Sequence, residues 1–437
     1  MKAFHQPVTD VEADGAFQRL ERFQHVILAV SGGPDSMALL VLAAEWGRRQ
    51  VSAPALSVAT VDHGLRAASA GEAEFVAEAA RRLGLSHTIL RWEGEKPGSG
   101  LAEAARLARY RLLERFARSL GDRTAVVTAH HLDDQAETFA MRLARGAGIE
   151  GLAAMRPERT LVDGSTVTLV RPLLAFPKSR LHATLEERDL GFVEDPTNDD
   201  MRFERVRVRR NIAALDSIGI SASALATSAR RIGEAEAALR YAEARFTETL
   251  RLSFGHEVFA ALDREAFSAG PLFLRQKVLA RLITRYGGAT PAPRLSEVEE
   301  LTARLQDARN CTATLGGAVV SAGGRFIRVW REPGRLAQPD LELSPGEVRL
   351  WDRRFLVATT LQCSYKVTVS PLGPENYSKI SNHLTSRHRL PARAAYALPA
   401  FWAGSDLVAV PSLEPFATAP FGTAADVVSV VAISASH

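Results

Sequence analysis

The chain has 437 residues, room for two to four domains. Hydrophobic residues make up 46% and charged residues 24%, which excludes a chain dominated by disorder. Two distant cysteines, Cys311 and Cys363, exclude a disulfide scaffold and a zinc ribbon, although the two could still pair with each other. The net charge of +4 and pI near 9.2 tolerate a polyanionic partner without demanding one. Residues 1–24 are polar and no run of 18 apolar residues occurs, so neither a signal peptide nor a membrane span is expected, and a reducing, cytoplasmic compartment is.

In chain order, residues 25–30 (HVILAV) read as a buried strand and 35–49 as a helix. A second strand is expected at 56–62, a helix at 70–83, a strand at 86–90 and a long helix at 101–120. Residues 124–129 (TAVVTA) read as a strand and 133–143 as a helix. Strands alternating with helices at this spacing predict a doubly wound α/β fold, a parallel sheet covered on both faces. Ligands on such sheets bind beyond the carboxyl ends of the strands, so chemistry is expected just after Val30, Val61 and Ala129.

A further strand at 166–172 and a helix at 178–189 follow. Residues 221–252, 271–286 and 295–306 read as helices, and 312–320 with 325–331 as a hairpin about Gly323-Gly324. Residues 332–345 carry three prolines and read as a linker. The remainder reads as short strands with one helix or loop near 376–385. The expected domains are a catalytic domain over 1–215, a mainly helical domain over 216–332 and a small α+β domain over 346–437.

The first strand runs into Ser31-Gly32-Gly33-Pro34-Asp35-Ser36. A phosphate-binding turn needs glycines so that backbone N–H groups can approach oxygens, and a helix start whose positive end faces the anion. Both are present, and Ser31 and Ser36 add hydroxyls. Asp35 places a carboxylate beside the phosphates, where attraction needs a bridging cation; magnesium is the natural one. The bland alternative is a strand–helix turn with glycines for geometry and Asp35 as a helix cap. The loop lacks the Gly-Lys-Ser/Thr ending of a Walker A site.

Asp62-His63-Gly64-Leu65-Arg66 follows the second strand, and His130-His131-Leu132-Asp133-Asp134-Gln135-Ala136-Glu137-Thr138 the fourth. Two histidines and two aspartates could form a metal cluster or cap the helix that follows. Magnesium, which takes one or two carboxylates plus substrate phosphates, fits better than zinc. Asp35 and Asp133 are then the metal pair, with Asp134 the alternative to Asp133. Arg106 and Arg109, three apart on one helix face, could clamp charge developing at a phosphate or simply face solvent. His131 joins Asp35, Asp133 and Arg109 as a candidate catalytic residue. The expected nucleotide contacts are Ser31, Gly32, Gly33, Pro34, Asp35, Ser36, Asp62, His63 and Arg106.

The loop resembles the pyrophosphatase loop of the N-type ATP pyrophosphatases, the PP-loop superfamily, which cleave ATP between its α and β phosphates. The larger set of motifs resembles one family within it, tRNA(Ile)-lysidine synthetase. Beyond the motifs above, the matching residues are Ala105-Arg106 with Arg109-Tyr110, Arg145-Gly146-Ala147-Gly148-Ile149-Glu150-Gly151-Leu152, Arg171-Pro172-Leu173-Leu174, and Asp195-Pro196-Thr197-Asn198-Asp199-Asp200 with the arginine-rich run 202–211. The resemblance is strong over the first half. Looser matches run through 369–371, His383, 391–393 and Leu398-Pro399. The run departs from the family order, reading Glu204-Arg205-Val206-Arg207-Val208-Arg209-Arg210-Asn211 here.

The resemblance implies ATP and Mg²⁺, free L-lysine and an isoleucine tRNA with a CAU anticodon. Carbon 2 of the wobble cytidine would be adenylated, and the lysine ε-amine would displace AMP to give lysidine. Oligomeric state is left open, a homodimer among the options. A base turned out of its stack suits an aromatic or arginine plane, and Phe203, Arg205, Arg207 and Arg209 are the expected tRNA contacts. A charged helix packing Phe203, Val206 and the stem of Arg210 inward is the bland reading of the same run. The alternatives for the whole chain are another PP-loop tRNA-modifying enzyme, such as a thiolase, or a non-catalytic tRNA-binding protein. A thiolase is disfavoured because the first 310 residues hold no cysteine, and a non-catalytic protein because both carboxylates are kept.

Overall fold

The structure is a computed structural model and describes residues 6–64, 69–162, 164–194, 200–255, 258–288, 293–307, 310–336, 340–361, 363, 366–382, 391–413 and 428–432. Leu65 and Arg66 of the second strand-end motif, residues 195–199 and His383 lie outside these residues. The chain divides into two compact units, Met1–Ala238 and Leu239–His437.

The first unit begins with a helix the sequence reading missed, α1 (Asp10–Phe17). Thr9 caps it and the Glu12 carboxylate returns to the Thr9 N–H, a capping box. Then come β1 (His25–Ala29), α2 (Pro34–Arg49), β2 (Ala55–Asp62), α3 (Ser69–Arg82), β3 (Ser86–Arg91), α4 (Leu101–Leu120), β4 (Thr124–Val127), α5 (Leu132–Ala144) and the short α6 (Ile149–Leu152). After them lie β5 (Glu158–Thr160), β6 (Thr168–Val170), α7 (Lys178–Glu187), α8 (Glu204–Leu215) and α9 (Ala222–Thr249).

One sheet organises this unit, with strand order β3-β2-β1-β4-β6-β5; β5 alone runs antiparallel, at the edge. The order reverses between β1 and β4, so the crevice at the topological switch point opens where these two strands end. The alternation along β1 explains its apolar run. Val26 and Leu28 join the core that α1, α2 and α7 complete with Phe17, Leu39 and Leu181. Ile27 points to the other face, against Tyr110 and Leu113 of α4. Both faces are buried, so the strand is apolar from Val26 to Ala29. The unit continues past residue 215 because Leu225, Ala229 and Ile232 of α9 pack with Phe139 and Ala154.

The second unit carries β7 (Ser253–Gly255), β8 (Phe259–Asp263), α10 (Arg264–Ala269), α11 (Leu272–Gly287), α12 (Leu295–Asp307), β9 (Cys311–Leu315), β10 (Ala318–Gly323) and β11 (Phe326–Arg331). Its helices are joined by a five-stranded antiparallel sheet, β7-β8-β11-β10-β9. The stretch 312–320, expected as one strand, is two. Gly316 and Gly317 take positive φ of 56° and 77° and turn the chain between β9 and β10. Further on are β12 (Leu341–Leu343), β13 (Val348–Trp351), β14 (Phe355–Thr359), β15 (Val367–Pro371), α13 (Gly373–Ser381), α14 (Ala392–Ala395), β16 (Pro399–Ala403), β17 (Asp406–Ala409) and β18 (Val428–Ala432). They form a four-stranded sheet, β12-β15-β16-β17, and a three-stranded sheet, β13-β14-β18, around a common core that includes Trp351, Phe355 and Phe401. The expected linker thus holds strand β12. No single helix among the described residues is long and apolar enough to cross a membrane.

Candidate active site

The loop between β1 and α2 is locked by its own side chains. The Ser36 hydroxyl donates to the Gly33 carbonyl at 2.9 Å and accepts from the Ser31 N–H at 3.2 Å. Gly32 has φ +88°, so glycine is required for its backbone angle; a Cβ there would find 3.5 Å of room to Val193 and Val76. The Gly32 carbonyl accepts from Val193 N at 2.9 Å. Gly33 precedes α2 in extended conformation and Pro34 takes the first helical position, where its missing N–H costs nothing. Beneath the loop, the buried Thr60 hydroxyl donates to the Val30 carbonyl at 2.9 Å and meets His87 Nε2 at the same distance.

Asp35 on α2 faces the start of α5. His131 Nε2 lies 3.5 Å from Asp35 Oδ2 and 3.6 Å from Asp134 Oδ2, and its Nδ1 is 3.5 Å from Asp133 Oδ2. Burial alone would lower the His131 pKa, but these carboxylates outweigh it and carry the imidazole up to about 10. The neighbouring His130 has no such partners. Burial, reinforced by Arg171, Arg205 and Arg106, drives it down to about 3, so it stays neutral. Asp35 and Asp133 resist the upward push of burial through His131, with Lys178 adding to both, and sit below the usual carboxylate range.

The two adjacent aspartates differ. Asp134 accepts from its own helix start, His131 N, at 3.0 Å, and from Arg205 Nη2 at 2.7 Å. Asp133 accepts from Lys178 N at 2.8 Å and so caps α7. Asp35 Oδ1 is buried and has no hydrogen-bond partner. An orphaned carboxylate oxygen beside a phosphate loop suits a hard cation that completes its shell with substrate phosphates. No group of three or more His, Cys, Asp or Glu among the described residues is arranged to hold a metal by itself.

A cleft of about 400 Å³ opens here. Ser31, Gly33, Pro34, Asp35 and Ser36 line it on the loop side; Arg106, Arg109 and Tyr110 of α4, His130, His131 and Asp134, Lys178, and Arg205 and Arg209 of α8 complete it. Arg106 lies over the Tyr110 ring, 5.3 Å from its centroid. Arg109 Nη2 reaches His63 Nε2 at 3.4 Å; burial and the guanidinium together lower the His63 pKa, leaving its ring nitrogen free to accept.

The structure therefore brings together loop 31–36, Arg106, Arg109 and His131. Asp133 stands behind His131; Asp62 and His63 lie at the end of β2 outside the cleft lining, His63 reached by Arg109 and Asp62 accepting from Gly64 N at 2.9 Å. The arginine-rich run divides by helical spacing. Arg205 and Arg209 turn inward, where the buried Glu137 accepts from Arg205 Nε at 2.5 Å and from Arg209 Nε at 2.7 Å. Arg207 faces outward and donates to the carbonyls of Met201 and Arg202, both at 2.9 Å. Phe203, at the cap of α8, is 46% exposed rather than packed inward, while Val206 is buried. Two functional residues carry little signal in the sequence: Lys178 in the cleft, a basic residue opening the helix after Pro177, and the buried Glu137 behind it, an acidic residue within the strand-end motif.

Residues 6–215 match the family model of the PP-loop domain. The tRNA(Ile)-lysidine synthase of Bradyrhizobium diazoefficiens is 41% identical over 357 residues, which take in 77% of this chain and 98% of that protein. The tRNA(Ile)-lysidine synthase of Methylobacterium nodulans is 45% identical over 318 residues, 71% of this chain and 91% of that one. In Ruegeria pomeroyi the protein of that name is 38% identical over 387 residues, 88% and 87% of the two chains. With the phosphate loop, the carboxylates and the arginines gathered at one switch point, and similarity running well past the PP-loop domain, this chain belongs to the tRNA(Ile)-lysidine synthase family.

Proposed function

We propose that the protein is an ATP-dependent ligase that makes lysidine. It adenylates carbon 2 of the wobble cytidine in the CAU anticodon of tRNA(Ile), and the ε-amine of L-lysine then displaces AMP. The observation that carries the reading is the facing of the Ser31–Ser36 loop, with Asp35 at its helix start, and the arginines Arg106 and Arg109 across one cleft at the switch point. Loop N–H groups and the α2 N-terminus suit the β and γ phosphates. Arg106 and Arg109 suit charge that develops at the α phosphate as the base oxygen attacks. Asp35 and Asp133 are the carboxylates that would hold Mg²⁺, which when bound neutralises the departing pyrophosphate.

Lysine attacks as the neutral amine, whose reference pKa is about 10.4, so the site must accept its proton. Phe203 beside Arg207 on the exposed end of α8 suits stacking of an unpaired base and contact with its phosphate. The second unit is assigned to the remaining tRNA contacts. Incubation with ATP, labelled lysine and a CAU tRNA(Ile) transcript tests the reading. Lysine should enter the RNA with release of AMP and pyrophosphate; pyrophosphate release driven by some other substrate, with no lysine incorporated, would sink it.

A further inference from the structure

We infer that Lys178 is a further catalytic residue of the adenylation step, its ammonium contacting the pyrophosphate as it leaves; this rests on the adenylation reading above. Lys178 opens α7. Its backbone N–H is pinned by Asp133 Oδ2 at 2.8 Å, a tie that spans 45 residues of chain. Its side chain lines the cleft beside Ser31, Gly33 and Ser36, and Nζ stands 3.9 Å from Asp35 Oδ2. That separation is at the edge of an ion pair, and the side chain is 35% exposed. A contact so loose and wet contributes little to stability. The ammonium is free to turn to a stronger anion at the loop mouth.

The other cations of the cleft are differently committed. Arg205 and Arg209 are held by Glu137, Arg205 also by Asp134, and Arg109 reaches His63. Among the lysine and arginine side chains that line the cleft, Lys178 is the one paired with the loop carboxylate itself; the charged His131 stands on the same oxygen at 3.5 Å. In adenylation the substrate oxygen forms a bond to the α phosphorus and the bond from that phosphorus to the α–β bridging oxygen breaks. The electron pair goes to the bridging oxygen, so pyrophosphate gains one negative charge. The ammonium donates an N–H to it and keeps its proton. A cation placed where charge appears in the transition state accelerates the step more than it tightens ground-state binding. Asp133 is then a positioning residue, fixing the start of α7 and with it the reach of Lys178.

The test uses the full chain, ATP, magnesium and the CAU transcript. Wild type must incorporate lysine; if it does not, the functional reading fails and the proposal with it. Given wild-type activity, Lys178→Met should lower kcat for tRNA-dependent pyrophosphate release by about 10²-fold with a smaller rise in the KM for ATP. Lys178→Arg should recover much of it. Capture of lysine by tRNA adenylated beforehand in a long incubation without lysine should keep its wild-type rate. Should the methionine variant melt below wild type, Lys178→Gln, of similar length, replaces it. Pyrophosphate release within about threefold of wild type in the methionine or glutamine variant overturns the proposal, as does slowed lysine capture with normal pyrophosphate release.

Discussion

Arg209 Nε donates to Glu137 Oε1 at 2.7 Å although 72 residues separate them, and Arg205 Nε takes the other oxygen of the same buried carboxylate. Two guanidiniums from one face of α8 are thereby hung from α5 and presented to the cleft. Glu137→Gln keeps the shape but replaces an acceptor oxygen with a donor. Removing one partner of a buried charge pair is strongly destabilising. Because the guanidiniums are about two-fifths exposed, solvent softens the loss, and about 2 kcal/mol is expected from urea unfolding. Adenylation measured by single turnover should fall at least about tenfold as the arginines lose their aim. An unchanged single-turnover rate would show that their placement is immaterial.

Asp35→Ala is expected to abolish pyrophosphate release, since its unpartnered Oδ1 is the carboxylate oxygen at the loop. Stability should change little, because its contacts with His131 and Lys178 are 3.5 and 3.9 Å long. Asp133 and Asp134 separate cleanly. Asp133→Ala frees the first N–H of α7 and should cost about 1 kcal/mol of stability along with activity. Asp134→Ala strands Arg205 and the α5 start, and should cost more stability than Asp133→Ala. Thermal melts and magnesium titrations of the three variants check this order; a raised magnesium requirement in Asp134→Ala alone would transfer the cation role to Asp134.

His130 gives the ligand-free protein an acid limb. Its folded-state pKa of about 3 lies below the unfolded value of about 6.5, so below pH 6.5 the unfolded chain binds the extra proton. Stability from this group is complete above pH 6.5 and is lost as pH falls toward 3. The loss amounts to about 2 kcal/mol by pH 5. His130→Asn, which cannot titrate, should flatten that part of the curve. Unfolding midpoints of wild type and variant at pH 7.5, 6, 5 and 4 would measure it; parallel curves would mean that His130 already ionises in the folded protein.

What was legible in the sequence follows physical range. The strands and helices of the parallel sheet were readable because Val26, Ile27 and Leu28 are buried on opposite faces and stand between turn signals. The loop was readable because Gly32 and the Pro34 start of α2 are local necessities. Helix α1 was overlooked though Thr9 and Glu12 carry its capping box, because its polar face hid Ala13 and Phe17, which are buried. The break at Gly316-Gly317 was overlooked because two glycines inside an apolar run also fit a strand. The inward turn of Arg205 and Arg209 was not legible at all. It depends on Glu137 being buried on α5, against which α8 packs, and a run of arginines looks the same whether it faces phosphate or carboxylate. Lys178 was equally silent, since its meaning lies in Asp133 and Asp35, each far away in the chain.

Asp352 presents the sharpest stability test. It is buried at the turn between β13 and β14 and is shared by two arginines: Arg331 of β11 donates through Nε and Nη2, both at 2.8 Å, and Arg354 through Nε at 2.9 Å. Arg331 Nη1 also closes on the carbonyls of Gly287 and Gly317, at 2.6 and 2.8 Å. One carboxylate thus serves two buried cations. The surplus falls on Arg354, whose Nη2 is buried without a partner and whose pKa burial lowers to about 10 against the pull of Asp352. Asp352→Asn leaves both guanidiniums uncompensated and should cost on the order of 3–5 kcal/mol. Arg354→Met removes the surplus charge, fills much of the same volume, and should stay within about 1 kcal/mol of wild type. Arg331→Met should fall between them or lower, because it also strands the carbonyls of Gly287, Gly317 and Arg335. Thermal unfolding of the three variants decides the order. If Arg354→Met unfolds as readily as Asp352→Asn, the surplus lies elsewhere and Arg354 is held by packing of its stem.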